Sequence, residues 1–130
     1  MLLPNQIITD LDAALLATGE DVTLRRITKV AGNPVIKDVV CRAAVRSVSA
    51  DEIVGTIAQN DLRVIISPTQ IMLAAWPGAD EGTPAGSAVD QRLPRATDKM
   101  VIQGKERQVK VSKPVFVAGT WVRCNLVVAG

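Results

Sequence analysis

Residues 98–130 read DKMVIQGKERQVKVSKPVFVAGTWVRCNLVVAG. Three short runs rich in Val and Ile are separated by Gln103-Gly104 and Ala118-Gly119, where Gly supplies the positive φ that a tight reversal needs. In the last run Val122, Cys124, Leu126 and Val128 point one way, and Arg123 and Asn125 the other. A period of two is the mark of a strand with one buried face. The stretch therefore predicts antiparallel β structure, with the closing residues expected inside the sheet. It carries almost nothing that does chemistry.

The pattern repeats upstream. Residues 22–30 set Val22 and Leu24 against Thr23 and Arg25 as a first strand, and Gly32-Asn33-Pro34 reads as the turn after it. Residues 35–45 follow as a second strand. Val39, Cys41, Ala43 and Val45 share one face; Val40, Arg42, Ala44 and Arg46 share the other. A third strand is expected at 61–66, with Leu62, Val64 and Ile66 inward. Two helices are expected among these strands. Residues 5–17 place Ile7, Ile8, Leu11, Leu15 and Leu16 on one stripe, with Asn5 or Thr9 as the cap and Gly19 just past the end. The acidic polar face suits packing on a sheet rather than on a membrane. Ser67-Pro68-Thr69-Gln70 has the form of a capping box, with Ser at the N-cap and Gln three residues on. The helix it opens, 71–75, is stopped by Trp76-Pro77-Gly78.

Two connections are long for a compact domain. The first, SVSADEIVGTIAQN at 47–60, spends Ile53, Val54 and Ile57 around Gly55. Branched aliphatics on a loop imply either a bulged strand extension or a segment buried against another subunit. The second, GADEGTPAGSAVDQRLPRAT at 78–97, has no apolar period and ends in the basic run Arg92-Leu93-Pro94-Arg95. It reads as a polar excursion with two arginines, or as a contact surface.

Composition narrows the function. The chain has 130 residues, the size of one domain. It is 48% apolar but only 2% aromatic, so Val, Ile, Leu and Ala must build the core. Such a core buries little area per residue, which implies a subunit that gains stability from neighbours. There is no His, the commonest general base and metal ligand. Cys41 and Cys124 are too few for a structural zinc site within one chain. Both sit at apolar alternation positions and are expected as buried free thiols, the alternative being a disulfide across adjacent strands. A net charge of +2 is too balanced for sequence-independent DNA binding. No apolar run approaches the ~20 residues of a membrane helix, and MLLPNQ lacks the form of a signal peptide. Phosphate-binding glycine motifs, nucleophile elbows and Cys–His pairs are missing. Asp51 and Glu52 are adjacent and in extended structure point to opposite faces, so they do not make an acid–base pair. The chain is not expected to be an enzyme, nor to hold a cofactor or metal.

Taken in order, VTLRRI, VVCRAAVR, DEIVGTIAQNDLRVIISPTQI, AAWPG, LPRATDKMVIQGKERQV and VRCNLVVAG form a set. That set, spanning about 22–130, resembles the small head–tail joining proteins of tailed bacteriophages, the head-completion or stopper class. The resemblance implies a small β-barrel or sandwich that assembles as a ring between the portal–adaptor complex and the tail. It implies a ring that closes the DNA channel after packaging and docks the tail. Closure belongs to a loop between two central strands, which falls here on 47–60.

The expectation is a mainly β single domain, 1–130: a small antiparallel barrel or sandwich with a helical segment at 1–20, one further short helix, and long loops at 47–60 and 78–97. The expected function is structural, a connector or stopper ring subunit in the virion neck, made in the host cytoplasm. Its expected partners are copies of itself, a portal or adaptor ring, tail terminator or tube proteins, and DNA passing without sequence-specific contact; no membrane is expected. The gating or subunit-contact loop comprises Asp51, Glu52, Ile53, Val54, Gly55, Thr56, Ile57 and Gln59, with Arg92 and Arg95 as further inter-protein contacts. Alternatives are a tail terminator or other neck-ring protein, an OB-like binder of single-stranded nucleic acid that uses Trp121, and a small-ligand barrel.

Overall fold

Three turns of one kind build most of the sheet. Ala31-Gly32, Gln103-Gly104 and Ala118-Gly119 hold both residues at positive φ: 51° and 82°, 53° and 80°, 50° and 77°. Turns of this sign twist with the flanking strands and so favour two-residue hairpins. The first lies one position before the expected Gly32-Asn33-Pro34 turn. Asn33 and Pro34 instead open a strand, paired with Val30 and Lys29.

The computed structural model describes residues 3–48, 55, 60–74, 76 and 92–130. Its elements are α1 (Pro4–Thr18), β1 (Glu20–Val30), β2 (Asn33–Ser47), β3 (Leu62–Ile66), α2 (Thr69–Leu73), β4 (Lys99–Ile102), β5 (Lys105–Val117) and β6 (Thr120–Val128). The strands form a closed barrel in the order β1-β2-β3-β6-β5-β4, antiparallel throughout. Of the two expected architectures, barrel and sandwich, the chain adopts the barrel. The strands are sheared: a walk across the ladder from Asp38 through Arg25, Lys99 and Gln108 returns at Val48, just past the end of β2 and beside Asp61, rather than at Asp38. Such an offset lets a few strands close around a filled interior.

The expected alternation holds inside the barrel. Val22 and Leu24, Cys41 and Ala43, Val64 and Ile66, and Cys124, Leu126 and Val128 are buried, joined by Met100, Ile102 and Val109. Helix α1 packs across β2 and β6, buries Leu15, and ends against Arg42. Arg42 Nε and Nη2 donate to the carbonyls of Leu15 and Leu16 at 3.0 and 3.2 Å, satisfying helix-end acceptors with a cation. Gly19 ends α1 for want of space: its φ is an ordinary −91°, but a Cβ there would collide with the carbonyls of Ala43 and Leu15.

Both expected caps are corrected. The α1 N-cap is Leu3, whose N–H is accepted by Gln6 Oε1 at 3.1 Å, while Thr9 Oγ1 donates to the Asn5 carbonyl. At α2, Ser67 Oγ accepts the N–H of Thr69, and Thr69 Oγ1 donates to Asp12 Oδ2 at 2.6 Å. The Gln70 side chain does not close a box. Asp12 competes for the polar groups of this turn, so the short helix is held by α1.

The hairpin β1–β2 outruns its neighbours. β4 pairs with β1 only at 23–25, and β3 pairs with β2 only at 43–47. What anchors the overhang is Arg26. Its guanidinium, 3% exposed, donates from Nε and Nη2 to Asp98 Oδ1 and Oδ2, both at 2.9 Å. Nη2 also reaches the Leu93 carbonyl at 3.1 Å. The cation lies 4.6 Å from the ring centre of Trp76, whose Nε1 donates to the Lys37 carbonyl of β2, beyond the stretch that pairs with β3. Asp98, 2% exposed, accepts the Arg95 N–H, and its own carbonyl accepts the Val109 N–H. Removing one partner of a buried pair strands the other. Asp98→Ala is expected to cost about 3–5 kcal/mol in urea unfolding at pH 7. Arg26→Met with Asp98→Leu is expected to cost less than Asp98→Ala alone, and a double variant that is the less stable one overturns this account.

Candidate functional site

The expected site falls on two ends of the barrel. At one end the β2–β3 connection leaves from a locked base. Val48 N–H donates to the Asp61 carbonyl at 3.3 Å. The Asp61 carboxylate is buried, accepting Lys110 Nζ at 2.8 Å and Gly130 N–H at 3.2 Å. Lys110 is available because β5 bulges there: Val109 faces Val128 and Val111 faces Val127, leaving one residue over. Gly130 fits only without a side chain, since a Cβ would overlap the Asn60 carbonyl. Asp61 was expected as the first residue of a strand; it is the tie between loop, bulge and last residue. Within the loop, Gly55 has φ +59°, a conformation that suits Gly. Asp51, Glu52, Ile53, Val54, Thr56, Ile57 and Gln59 lie outside the described residues.

At the other end lies a groove of about 510 Å³ between α1, α2 and the β5–β6 hairpin. Ile8, Pro68, Met72, Leu73, Phe116 and Trp121 make its apolar walls, with Thr69, Gly119 and Thr120 beside them. Phe116 and Trp121 are cross-strand partners. Trp121 Nε1 donates to the Arg123 carbonyl at 2.8 Å, which orients the indole. Leu73 is 84% exposed and Phe116 52%. Arg92 lines this groove and donates from Nη1 to Met72 Sδ at 3.3 Å.

Arg92 is thus part of a surface, while Arg95 serves Asp98 through its backbone. Residues 92–97, the described end of the 78–97 connection, carry no helix or strand and are tied down. Pro94 is buried, and its carbonyl accepts Ser112 Oγ at 2.6 Å. The groove was not foreseen. Its one local signal is TQIML: Ile71 turns into the core, which forces Met72 and Leu73 outward on so short a helix.

Cys41 and Cys124 are free and buried, as expected from their alternation. Burial pushes the Cys41 thiol up to about 12, aided by the nearby Cys124. Burial pushes Cys124 up to about 11, against hydrogen bonds from Ser112 and the Lys113 backbone. Such thiols are protonated and poor nucleophiles. Among the described residues no three His, Cys, Asp or Glu side chains are grouped to hold a metal, and no helix is long and apolar enough to cross a membrane.

No family model matches the chain, and no curated protein matches it.

The thiols carry a pH dependence. The native barrel keeps protons that the unfolded chain releases near 9.0, so their contribution is whole below pH 9 and is lost as pH rises toward about 11 and 12. Each thiol should steepen the fall by about 1.4 kcal/mol per pH unit within its window. Urea unfolding between pH 8 and 10.5 should show a flatter fall in Cys41→Ala/Cys124→Ala than in the parent; equal slopes exclude the thiols as the cause.

Proposed function

We propose that this chain is a ring-forming connector subunit of a tailed-phage neck, of the stopper class. The observation that carries the reading is the locked base of the 48–61 connection: a small closed barrel holds a loop rich in branched aliphatics on a buried Asp61 tied to Lys110. A rigid barrel with one anchored loop suits a part that must be fixed in a ring and still present a segment to the channel. The sequence resemblance to head-completion proteins supports the same reading. So do the aliphatics left outside the barrel: Ile27 and Ile36, which face each other across β1–β2, and Val40 further along β2. Neighbouring subunits are a natural cover for such residues.

On this reading the subunit performs no bond chemistry. It sits in the virion between a portal or adaptor ring and the tail proteins. Ile53, Val54 and Ile57 bury against adjacent copies when the channel closes, and Gly55 allows the loop to turn. DNA passes without base-specific contact.

A second reading, binding of single-stranded nucleic acid, is favoured by one observation: Phe116 and Trp121 stand together beside Arg92. It predicts affinity that falls steeply with salt and disappears in Trp121→Ala.

Mass measurement across concentration, alone and with a portal–adaptor ring, separates the two. The connector reading expects the chain to join such a ring with the ring's symmetry, and Ile53→Ser/Ile57→Ser to abolish assembly or DNA retention while the barrel stays folded. Assembly and retention intact in that variant remove the loop assignment. A chain that ignores such rings but binds single strands at low salt supports the second reading.

A further inference from the structure

We infer that the apolar groove at the α2 end of the barrel receives the 51–57 segment of a neighbouring copy; this rests on the ring reading and names the contact that would hold the ring. The loop and the groove stand at opposite ends of β3 and β6. The loop base is at Val48 and Asp61, beside Leu62 and Val128. The groove is beyond Ile66, at Pro68, Thr69 and Trp121. A loop of this length extends about 20 Å from its base at ~3.3–3.6 Å per residue. To reach its own groove it must run back along the outside of β3, and α1 packs across the two strands that flank β3. Docking in a second copy needs no such path.

The chemistries match. The groove offers apolar walls and, among the described residues, one charged side chain in its lining, Arg92. The segment 51–57 reads DEIVGTI: two carboxylates, then branched aliphatics. Asp51 or Glu52 would lie toward the guanidinium while Ile53 and Ile57 cover Met72, Leu73 and Phe116. A contact between unlike surfaces at opposite ends of one subunit is heterologous, and such contacts close into a ring when the rotation between copies closes and run on as a filament when it does not. Sheet edges offer a poorer route. Both hairpins that outrun the ladder carry a proline, Pro34 and Pro114, and Trp76 takes the Lys37 carbonyl on the β2 edge.

The test mixes two full-length variants, Ile53→Cys and Met72→Cys, under mild oxidation. Met72 is half exposed, so its substitution leaves the core intact, and the two native thiols are buried and protonated. The expected result is a dimer-sized species in the mixture at several times the yield of either variant alone. Arg92→Glu is expected to weaken self-association roughly tenfold, and Asp51→Lys/Glu52→Lys to restore it. If the ring mass persists but the mixture does not cross-link, the groove is not the receptor and the ring reading survives. A chain carrying both substitutions that cross-links within itself shows the loop filling its own groove, and also overturns the inference. If no oligomer forms alone or on a portal–adaptor ring, the ring reading falls and this inference with it.

Discussion

The barrel depends on the placement of one positive charge. Arg26 sits on β1 one residue beyond the point where β4 stops pairing with it. Its backbone has no strand on that side among the described residues, and its side chain takes over the closure. It holds Asp98 with two hydrogen bonds, the Leu93 carbonyl with a third, and the Trp76 ring through its face. These partners border one long connection, 78–97: Trp76 stands just before it, Leu93 near its end and Asp98 just after it. A cation with a planar fork and an aromatic-facing surface serves all three; an ammonium would lose the bidentate geometry. A buried pair of this kind adds little net stability, but it penalises any arrangement that separates its members. Its value here is in specifying where the connections end.

Asp61 repeats the arrangement with the charges reversed. A buried carboxylate collects a lysine from a bulge and a backbone N–H from Gly130. The two ties meet on β5, where Val109 N–H donates to the Asp98 carbonyl and the next residue, Lys110, reaches Asp61. One end bears an anchored loop, the other an apolar groove walled by Phe116 and Trp121. β3 and β6 contribute the half-buried Arg63 and Arg123 and no carboxylate, whereas Asp38 and Glu106 share Arg25 on the β1 side. Two unlike ends are what a head-to-tail ring requires, and the connector proposal draws on that asymmetry.

The β content, the inward faces of β2, β3 and β6, the Gln103-Gly104 and Ala118-Gly119 turns, and the buried thiols were all legible, because each follows from a run of a few residues. The first turn was misplaced by one position, since Asn33-Pro34 looks more turn-like than Ala31-Gly32; the ladder to β1 settles it. The helix caps were misread for a related reason. Asn5, Thr9 and Ser67 are all good capping residues by type, and which oxygen is used depends on neighbours such as Asp12. Of the candidate site, Arg92 and Arg95 were both expected at a contact surface from their basic context; Arg92 lines the groove, and the Arg95 backbone serves Asp98.

The sequence by itself determined strand, turn and burial pattern, because alternation and glycine placement act within a few residues of chain. It also confined the search for function, through the missing histidines and the paucity of aromatics. Only the tertiary structure decided that the sheet closes, and where its two ends lie. The ties that close it join residues 72 apart at Arg26–Asp98 and 49 apart at Asp61–Lys110. Local periodicity contains no term for such distances. A lone arginine or aspartate looks the same in sequence whether it is solvated or buried, and its meaning appears only when the shear of the barrel brings its partner beside it.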